Sequence, residues 1–275
     1  MTSDTIAFIG GGNMATSLIG GLVAGGHPRD AIWVTDVDAD KLGQVQDKFQ
    51  VNTTGNNNLA VHRAETIVLA VKPQVMSKVL EHIAQSAREE APLLVSIAAG
   101  VRERDILSRL GYDAAIVRTM PNTPALLGCG ATALFANPFV SPEQRSRAEN
   151  ILRAVGITVW VENETLLDAV TALSGSGPAY YFLLMEMMER IGVDLGLDRD
   201  AARVLVLQTA LGAARMAKET GDSPENLRRR VTSPGGTTQA ALERLTAGDF
   251  EDILLQALKA ARDRAVALGD ELGGG

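Results

Sequence analysis

The chain has one cysteine in its 275 residues, Cys129, so no internal disulfide can form and a reducing compartment fits. Cys129 stands in "LLGCGAT" with no histidine nearby, and is expected to be a small buried side chain, not a nucleophile. Basic charge is also scarce. Twenty-six lysines and arginines face 33 acids, for a net charge of −7, and the one short basic run, Arg228–Arg230, reads as a solvated helix end; this argues against a nucleic-acid-binding surface. No apolar stretch approaches the ~20 residues a membrane helix needs. The opening "MTSDTIAFIGGGNMA" lacks a basic segment ahead of a cleavable apolar one, so a soluble cytoplasmic protein is expected. The closing "GGG" is expected to fray. No grouping of His, Cys and carboxylates has metal-ligand spacing, so no metal is expected. Only three histidines occur, His27, His62 and His82, and no lysine lies between Lys78 and Lys218.

What is present is apolar sequence, 46% of the chain, enough to bury the core of one large domain or two smaller ones. Runs over residues 5–10, 31–36, 65–71, 92–100 and 114–122 are continuous and β-rich, as in parallel strands covered on both faces. Further strands are predicted over 131–136 and 156–161, flanking a helix that opens with Ser141, Pro142 and Gln144 in a capping box. Past Asn163 the β-branched runs stop, and Ala, Leu and Met recur at helical spacing, with Asp198 and Ser223 as N-caps. The expected organisation is an N-terminal Rossmann-type doubly wound α/β domain, 1–163, followed by an all-α domain, 164–275. Residues 183–188 and 204–211 are apolar around the whole helix, so a second chain is expected to cover them.

"IGGGNMATSLIGGL" ends the first strand and opens a helix, and Gly10, Gly12 and Ala15 fit the G-x-G-x-x-G/A dinucleotide fingerprint. Gly10 permits the tight turn and Gly12 admits a pyrophosphate to the backbone. Asn13 and Met14 then begin the helix whose N–H groups would face the phosphates. Asp36 ends the second strand, 26 residues after Gly10, where an acid bonds the ribose 2′-hydroxyl of NAD and repels the 2′-phosphate of NADP. It could instead cap the helix near Ala39, a task Asp38 could also perform. The other strand ends place Ala70, Val71, Lys72 and Pro73, then Ala98, Ala99 and Gly100, then Met120 to Thr123 with Asn122, around the cofactor. Lys72 is equally suited to a phosphate or ribose contact and to ending a strand in solvent.

The residues missing from the helical half narrow the chemistry. Reduction of a ketone needs a group to move a proton onto oxygen, and no histidine or lysine enters the second domain at its first helix. A protonated imine needs only to be held and oriented against the hydride. Hydroxyls and backbone N–H groups suffice for that. They occur in "LSGSGPAYY", with Ser176 between Gly175 and Gly177, and in "VTSPGGTTQAALE". In the latter, Thr237 and Thr238 with the N–H groups of Gly235 and Gly236 are expected to form a concave donor site for a carboxylate.

In "FIGGGNMA", "AVKPQ", "VSIAAGV", "MPNTPAL", "DAVTALSGSGPAYYF" and "VTSPGGTTQAAL", in that order from Phe8 to Leu242, the chain resembles the pyrroline-5-carboxylate reductase family. The resemblance implies NAD(P)H-dependent reduction of 1-pyrroline-5-carboxylate to L-proline. It implies a homodimer through the helical domain, often built into a decamer, with active sites at the subunit interface. By residue, it implies that Thr238 bonds the ring nitrogen, that backbone around Gly236 and Thr237 holds the carboxylate, that Glu164 is a substrate-side acid, and that Asn57 contacts cofactor. The family usually prefers NADPH, and Asp36 departs from that by favouring NADH or dual use. A β-hydroxyacid dehydrogenase would share the layout but carry a lysine on the interdomain helix, which this chain lacks. A non-catalytic NAD(P)-binding sensor would have no use for a turn as costly to order as Ser233–Thr238.

Overall fold

The computed structural model describes residues 4–273; residues 1–3 and 274–275, the latter within the expected frayed tail, lie outside them. The chain starts with β1 (Ile6–Ile9), a glycine turn and α1 (Asn13–Ala24), and then repeats the pattern. There follow β2 (Ile32–Thr35), α2 (Ala39–Phe49), β3 (Asn52–Thr54), α3 (Asn57–Val61), β4 (Thr66–Leu69) and α4 (Pro73–Glu90). Next come β5 (Leu93–Ser96), α5 (Glu103–Leu110), β6 (Ile116–Met120), a 3-10 turn at Thr123–Leu127, β7 (Gly130–Ala136), α6 (Pro142–Arg153) and β8 (Gly156–Trp160). The strands make one sheet in the order β3-β2-β1-β4-β5-β6-β7-β8.

The doubly wound expectation holds, because the apolar runs serve two layers. Ile6 and Phe8 pack with Leu18, Ile19 and Leu22 of α1 and with Ile151 and Leu152 of α6. Ala7 and Ile9, pointing the other way, pack with Met76, Leu80 and Ile83 of α4 and with Ile106 of α5. Burying one such side chain contributes roughly 1.5–3 kcal/mol. Two details differ from the sequence expectation. β3 was not foreseen, since Asn52-Thr53-Thr54 is short and polar. β7 runs antiparallel to β6, while β8 is parallel to β7. Residues 121–129 hold no crossover helix, and a parallel return needs a dozen or more residues.

Cys129 is exposed, not buried. Its N–H bonds back to Pro124 O in the tight turn before β7, where Leu126 and Leu127 also face outward. Only Ala125 of this turn is turned into the core, so the apolar character of the segment does not bury Cys129.

After β8 come α7 (Leu166–Val170), a π-helical turn at Thr171–Gly175, α8 (Gly177–Asp194), α9 (Arg199–Glu219), α10 (Pro224–Arg230), α11 (Thr237–Ala247) and α12 (Phe250–Gly273). Ser141, Asp198 and Ser223 cap their helices as the sequence predicts. By contacts the chain forms two units, one of residues 1–176 with 261–275 and one of 177–260. The first unit extends past Asn163 because α7 packs on β6 and β7, and it takes back the end of α12.

Taken by itself, the second unit has almost no interior. Among its residues only Gly177 and Ala202 are buried. Phe182, Leu183, Val204, Leu205 and Leu211 stand more than half exposed. Helices with this composition reach a stable state only when another apolar surface covers them. No helix among the described residues is long and apolar enough to cross a membrane.

Candidate active site

The glycine turn after β1 is held by backbone on two sides. Gly10 N donates to Thr35 O at 2.8 Å, and Ala70 N donates to Ile9 O at 2.9 Å. Gly10 has a φ of +106°, and a Cβ there would stand 2.6 Å from Ala70 O, so the turn admits only glycine. Gly12 is the opposite case. A Cβ on it would meet nothing within 4 Å, so the backbone is open to an incoming group. Gly12 caps α1 without a side chain, and no acid occupies the first turn, which leaves the N–H groups beyond Asn13 and Met14 to face an anion. Ala15, 1% exposed, packs α1 onto the sheet.

Asp36 is fixed by two backbone donors: Gly11 N to Oδ2 at 2.9 Å and Asp38 N to Oδ1 at 3.0 Å. Each oxygen keeps a lone pair for a ribose hydroxyl. The helix cap is Asp38, which accepts from Asp40 N and Lys41 N, and the Lys41 N–H holds its carboxyl below the usual range. The capping alternative for Asp36 is therefore filled by Asp38. Lys41 Nζ lies 3.9 Å from Asp36 and 3.6 Å from Asp38. In "GNNN" the three asparagines separate by role. Asn56 caps α3, Asn58 accepts from the Ser86 hydroxyl, and Asn57 accepts from Thr35 Oγ1 at 2.6 Å, beside the end of β2. Of the three, Asn57 is the one at the carboxyl edge.

Along that edge, Ala70 and Val71 are half-buried and Lys72 is exposed at the start of α4, ahead of Pro73. Ala98 is buried and Ala99 exposed, and Gly100 turns with φ +79°. Asn122 lies two residues past the end of β6. Its amide is engaged inside the protein, accepting from Ala131 N at 2.9 Å and donating to Ser174 O at 3.1 Å. It thus ties β7 to the π-helical turn, where Ser176 N closes onto Thr171 O. Glu164 is likewise engaged. Its Oε1 accepts from Arg118 Nη1 and from Glu103 N, both at 2.6 Å.

In the second unit, α11 starts at Thr237 with Gly236 as a cap that offers no side chain. The two glycine N–H groups expected to face a carboxylate are both taken. Gly235 N donates to Gln239 Oε1 at 2.7 Å, and Gly236 N donates to Ser233 O at 3.0 Å. These bonds close the turn, and they move the available donors one step on, to the uncapped first-turn N–H groups from Thr237 and to the Thr238 hydroxyl. The three histidines lie elsewhere: His62 pairs with Glu90, His82 lies against Asn58, and His27 sits in the turn before β2.

Residues 164–268 match the family model for pyrroline-5-carboxylate reductase dimerisation, and residues 5–100 match that for NADP oxidoreductase, coenzyme F420-dependent. The chain is 48% identical to pyrroline-5-carboxylate reductase of Pseudomonas aeruginosa over 273 residues, 99% of this chain and all of that one. The chain belongs to the pyrroline-5-carboxylate reductase family. Against the Escherichia coli reductase, identity is 38%, covering 96% of this chain and 97% of that one. The solved reductase of Coxiella burnetii superposes with a TM-score of 0.94 at 44% identity, over 97% of this chain and 99% of that one. The Plasmodium falciparum reductase, solved with NADP bound, gives 0.85 at 29% identity, over 98% and 99%.

A further group of charged residues lies beside Glu164, and no sequence motif marks it. Arg102, Arg118 and Asp168 are all under one-tenth exposed and surround Glu164. Burial pushes the Arg118 guanidinium below the usual arginine range, opposed by Glu164. The signal was an arginine in the middle of the otherwise apolar "AAIVRTM" strand, since a charge there requires a buried partner.

Proposed function

We propose that the protein reduces the cyclic imine 1-pyrroline-5-carboxylate to L-proline, completing proline synthesis, with NADPH or NADH as donor. The observation that carries this is end-to-end similarity to reductases of that name, with the Ser233–Thr238 turn intact. The cradle suits a dinucleotide: open backbone at Gly12 and an uncapped α1 favour a pyrophosphate. Gly10, Gly12, Asn13 and Met14 hold the phosphates, while Asp36 and Asn57 flank the adenosine ribose. Lys72 and the backbone of Ala70, Val71 and Pro73 border the next part, and Ala98, Ala99 and Gly100 the nicotinamide side. Asn122 borders the cofactor as well and also holds the π-helical turn. When bound, the cofactor supplies a hydride.

The chain's own residues need only bind and orient. Thr238 bonds the ring nitrogen, the α11 N-terminus at Gly236 and Thr237 receives the carboxylate, and Ser176 lines the substrate side. Hydride addition to a protonated imine carbon sends the C=N π electrons to nitrogen and leaves a neutral amine, so no acid is consumed. That agrees with histidines that sit elsewhere. Glu164 acts through Arg118 and the start of α5.

Asp36, held in place by two backbone bonds, favours the 2′-hydroxyl of NADH. A paired assay at 340 nm with pyrroline-5-carboxylate and each cofactor should show turnover, and silence with both would sink the assignment. Asp36→Ser should move the NADPH:NADH ratio of kcat/KM upward about tenfold, since removing one repulsion is worth about 1.4 kcal/mol. An unchanged ratio would retire its ribose role.

The second unit pairs with that of another copy, burying the exposed faces of α8 and α9, and pairs assemble further into decamers in the cytoplasm. Light scattering of the purified protein should give at least twice the 29.1 kDa chain mass at micromolar concentration. A monomer would refute the pairing, and a stable dimer would refute the decamer.

A further inference from the structure

The buried charges around Glu164 form a quartet at the meeting point of three segments of the first unit. Arg102 Nη1 lies 2.9 Å from Asp168 Oδ2, and Arg118 Nη1 lies 2.6 Å from Glu164 Oε1. Arg102 is the N-cap residue of α5, two positions past Gly100. Its guanidinium also supports α12: a Cβ on Gly269 would stand 2.8 Å from Arg102 Nε. One turn further along, Leu272 Cδ1 lies 3.1 Å from where a Cβ on Gly100 would be. The Ala98–Gly100 turn is therefore seated on α12, and α12 on Arg102. The counter-ion belongs to α7, which runs directly into the π-helical turn; Asn122 holds that turn at Ser174 O.

Stability alone does not call for this arrangement, because apolar side chains of similar volume commonly serve as well as a buried ion pair. A salt bridge does fix a distance and an orientation between its partners. We propose that Arg102 and Asp168 are positioning residues. They lock the Ala98–Gly100 turn, on the nicotinamide side, to the Ser174–Ser176 turn, on the substrate side, so that donor and acceptor are presented at one separation. The roles of the two turns rest on the reductase assignment; the mechanical link between them does not.

Two variants of the full-length protein test this. Asp168→Asn keeps the shape and removes the charge, and Arg102→Met with Asp168→Leu removes the pair without orphaning an ion. In hydrogen–deuterium exchange, the amides of residues 97–102 and 171–176 should quicken together in each variant by about fivefold or more, with the strands unchanged. In steady state kcat should fall about tenfold while the KM for dinucleotide holds, and the deuterium isotope effect from 4-deuterated cofactor should rise. A merely structural role would lower Tm but leave that isotope effect unmoved. Faster exchange at 171–176 with 97–102 still protected overturns the link, whether or not the wild type reduces the imine. Wild-type kcat and isotope effect in the folded double variant overturn the positioning role. An inactive wild type would count against the reductase assignment, and the exchange experiment would then decide the link by itself. Should Asp168→Asn fail to fold, the double variant carries both measurements.

Discussion

Thr238→Ala is expected to lower kcat/KM for the imine about 100-fold, the loss typical of removing one pre-organised donor from a transition state. Dinucleotide affinity, measured by fluorescence titration, stays within about twofold because the fingerprint glycines and Asp36 are untouched. The threonine is the second residue of α11, half-buried, on a helix start with no side-chain cap. The turn before it is already closed by its own bonds, from Gly235 to Gln239 and from Gly236 to Ser233. Nothing in that turn would rearrange to replace a lost hydroxyl. Thr238→Ser keeps the hydroxyl and should retain most of the activity. A serine variant as impaired as the alanine one, or a collapse of cofactor binding in either, would remove Thr238 from the role.

Gly10→Ala is the second large effect, and it acts by a different route. The new methyl would meet Ala70 O at 2.6 Å in a backbone with φ +106°, which alanine rarely adopts. Strained backbone costs about 1–3 kcal/mol and overpacking about the same, so a loss of roughly 2–6 kcal/mol is expected in urea unfolding. Relief comes only if the loop pulls away from β4, and that also moves Gly11 off Asp36. Dinucleotide binding should then weaken beyond about 100-fold in protein that remains folded, since the phosphate cradle itself is displaced. A variant with wild-type affinity would show that the turn is not the phosphate site. Gly12→Ala is the control, because a methyl there clashes with nothing in the protein and obstructs only an incoming ligand.

Much of this was legible in the sequence because the relevant signals are local. An apolar run ending in Gly10-Gly11-Gly12 fixes strand, turn and helix within a few residues, and the Ser141–Gln144 capping box fixes a helix start. β3 escaped because three polar residues make a strand only when a neighbour supplies the ladder, here β2. The antiparallel entry of β7 depends on how short its connection is, which composition does not display. The place of Asn122 after a strand end is legible in the sequence, but its internal bonds are not. Its partners, Ala131 N and Ser174 O, are fixed by tertiary packing that no spacing rule reports. The same holds for the Gly235 and Gly236 N–H groups, whose bonds within the turn became visible only with the backbone traced. Asp168 and Arg102 lie far apart in sequence and meet only once α7 lies on the sheet.

From Ala261 on, α12 belongs to the first unit, and Gly269 and Leu272 close over Arg102 and Gly100. During synthesis, the strands of the N-terminal sheet emerge and can pair long before those residues exist. The nucleotide-binding half must therefore leave the ribosome with one seat unfilled, and its last contacts span most of the chain. Contacts of such long sequence separation form late, because the entropy of closing the loop is lost before they give anything back. A nascent chain arrested before residue 261 would present a sheet already folded but a Gly100 turn still without its support. The end of α12 thus completes a domain whose strands are made long before it.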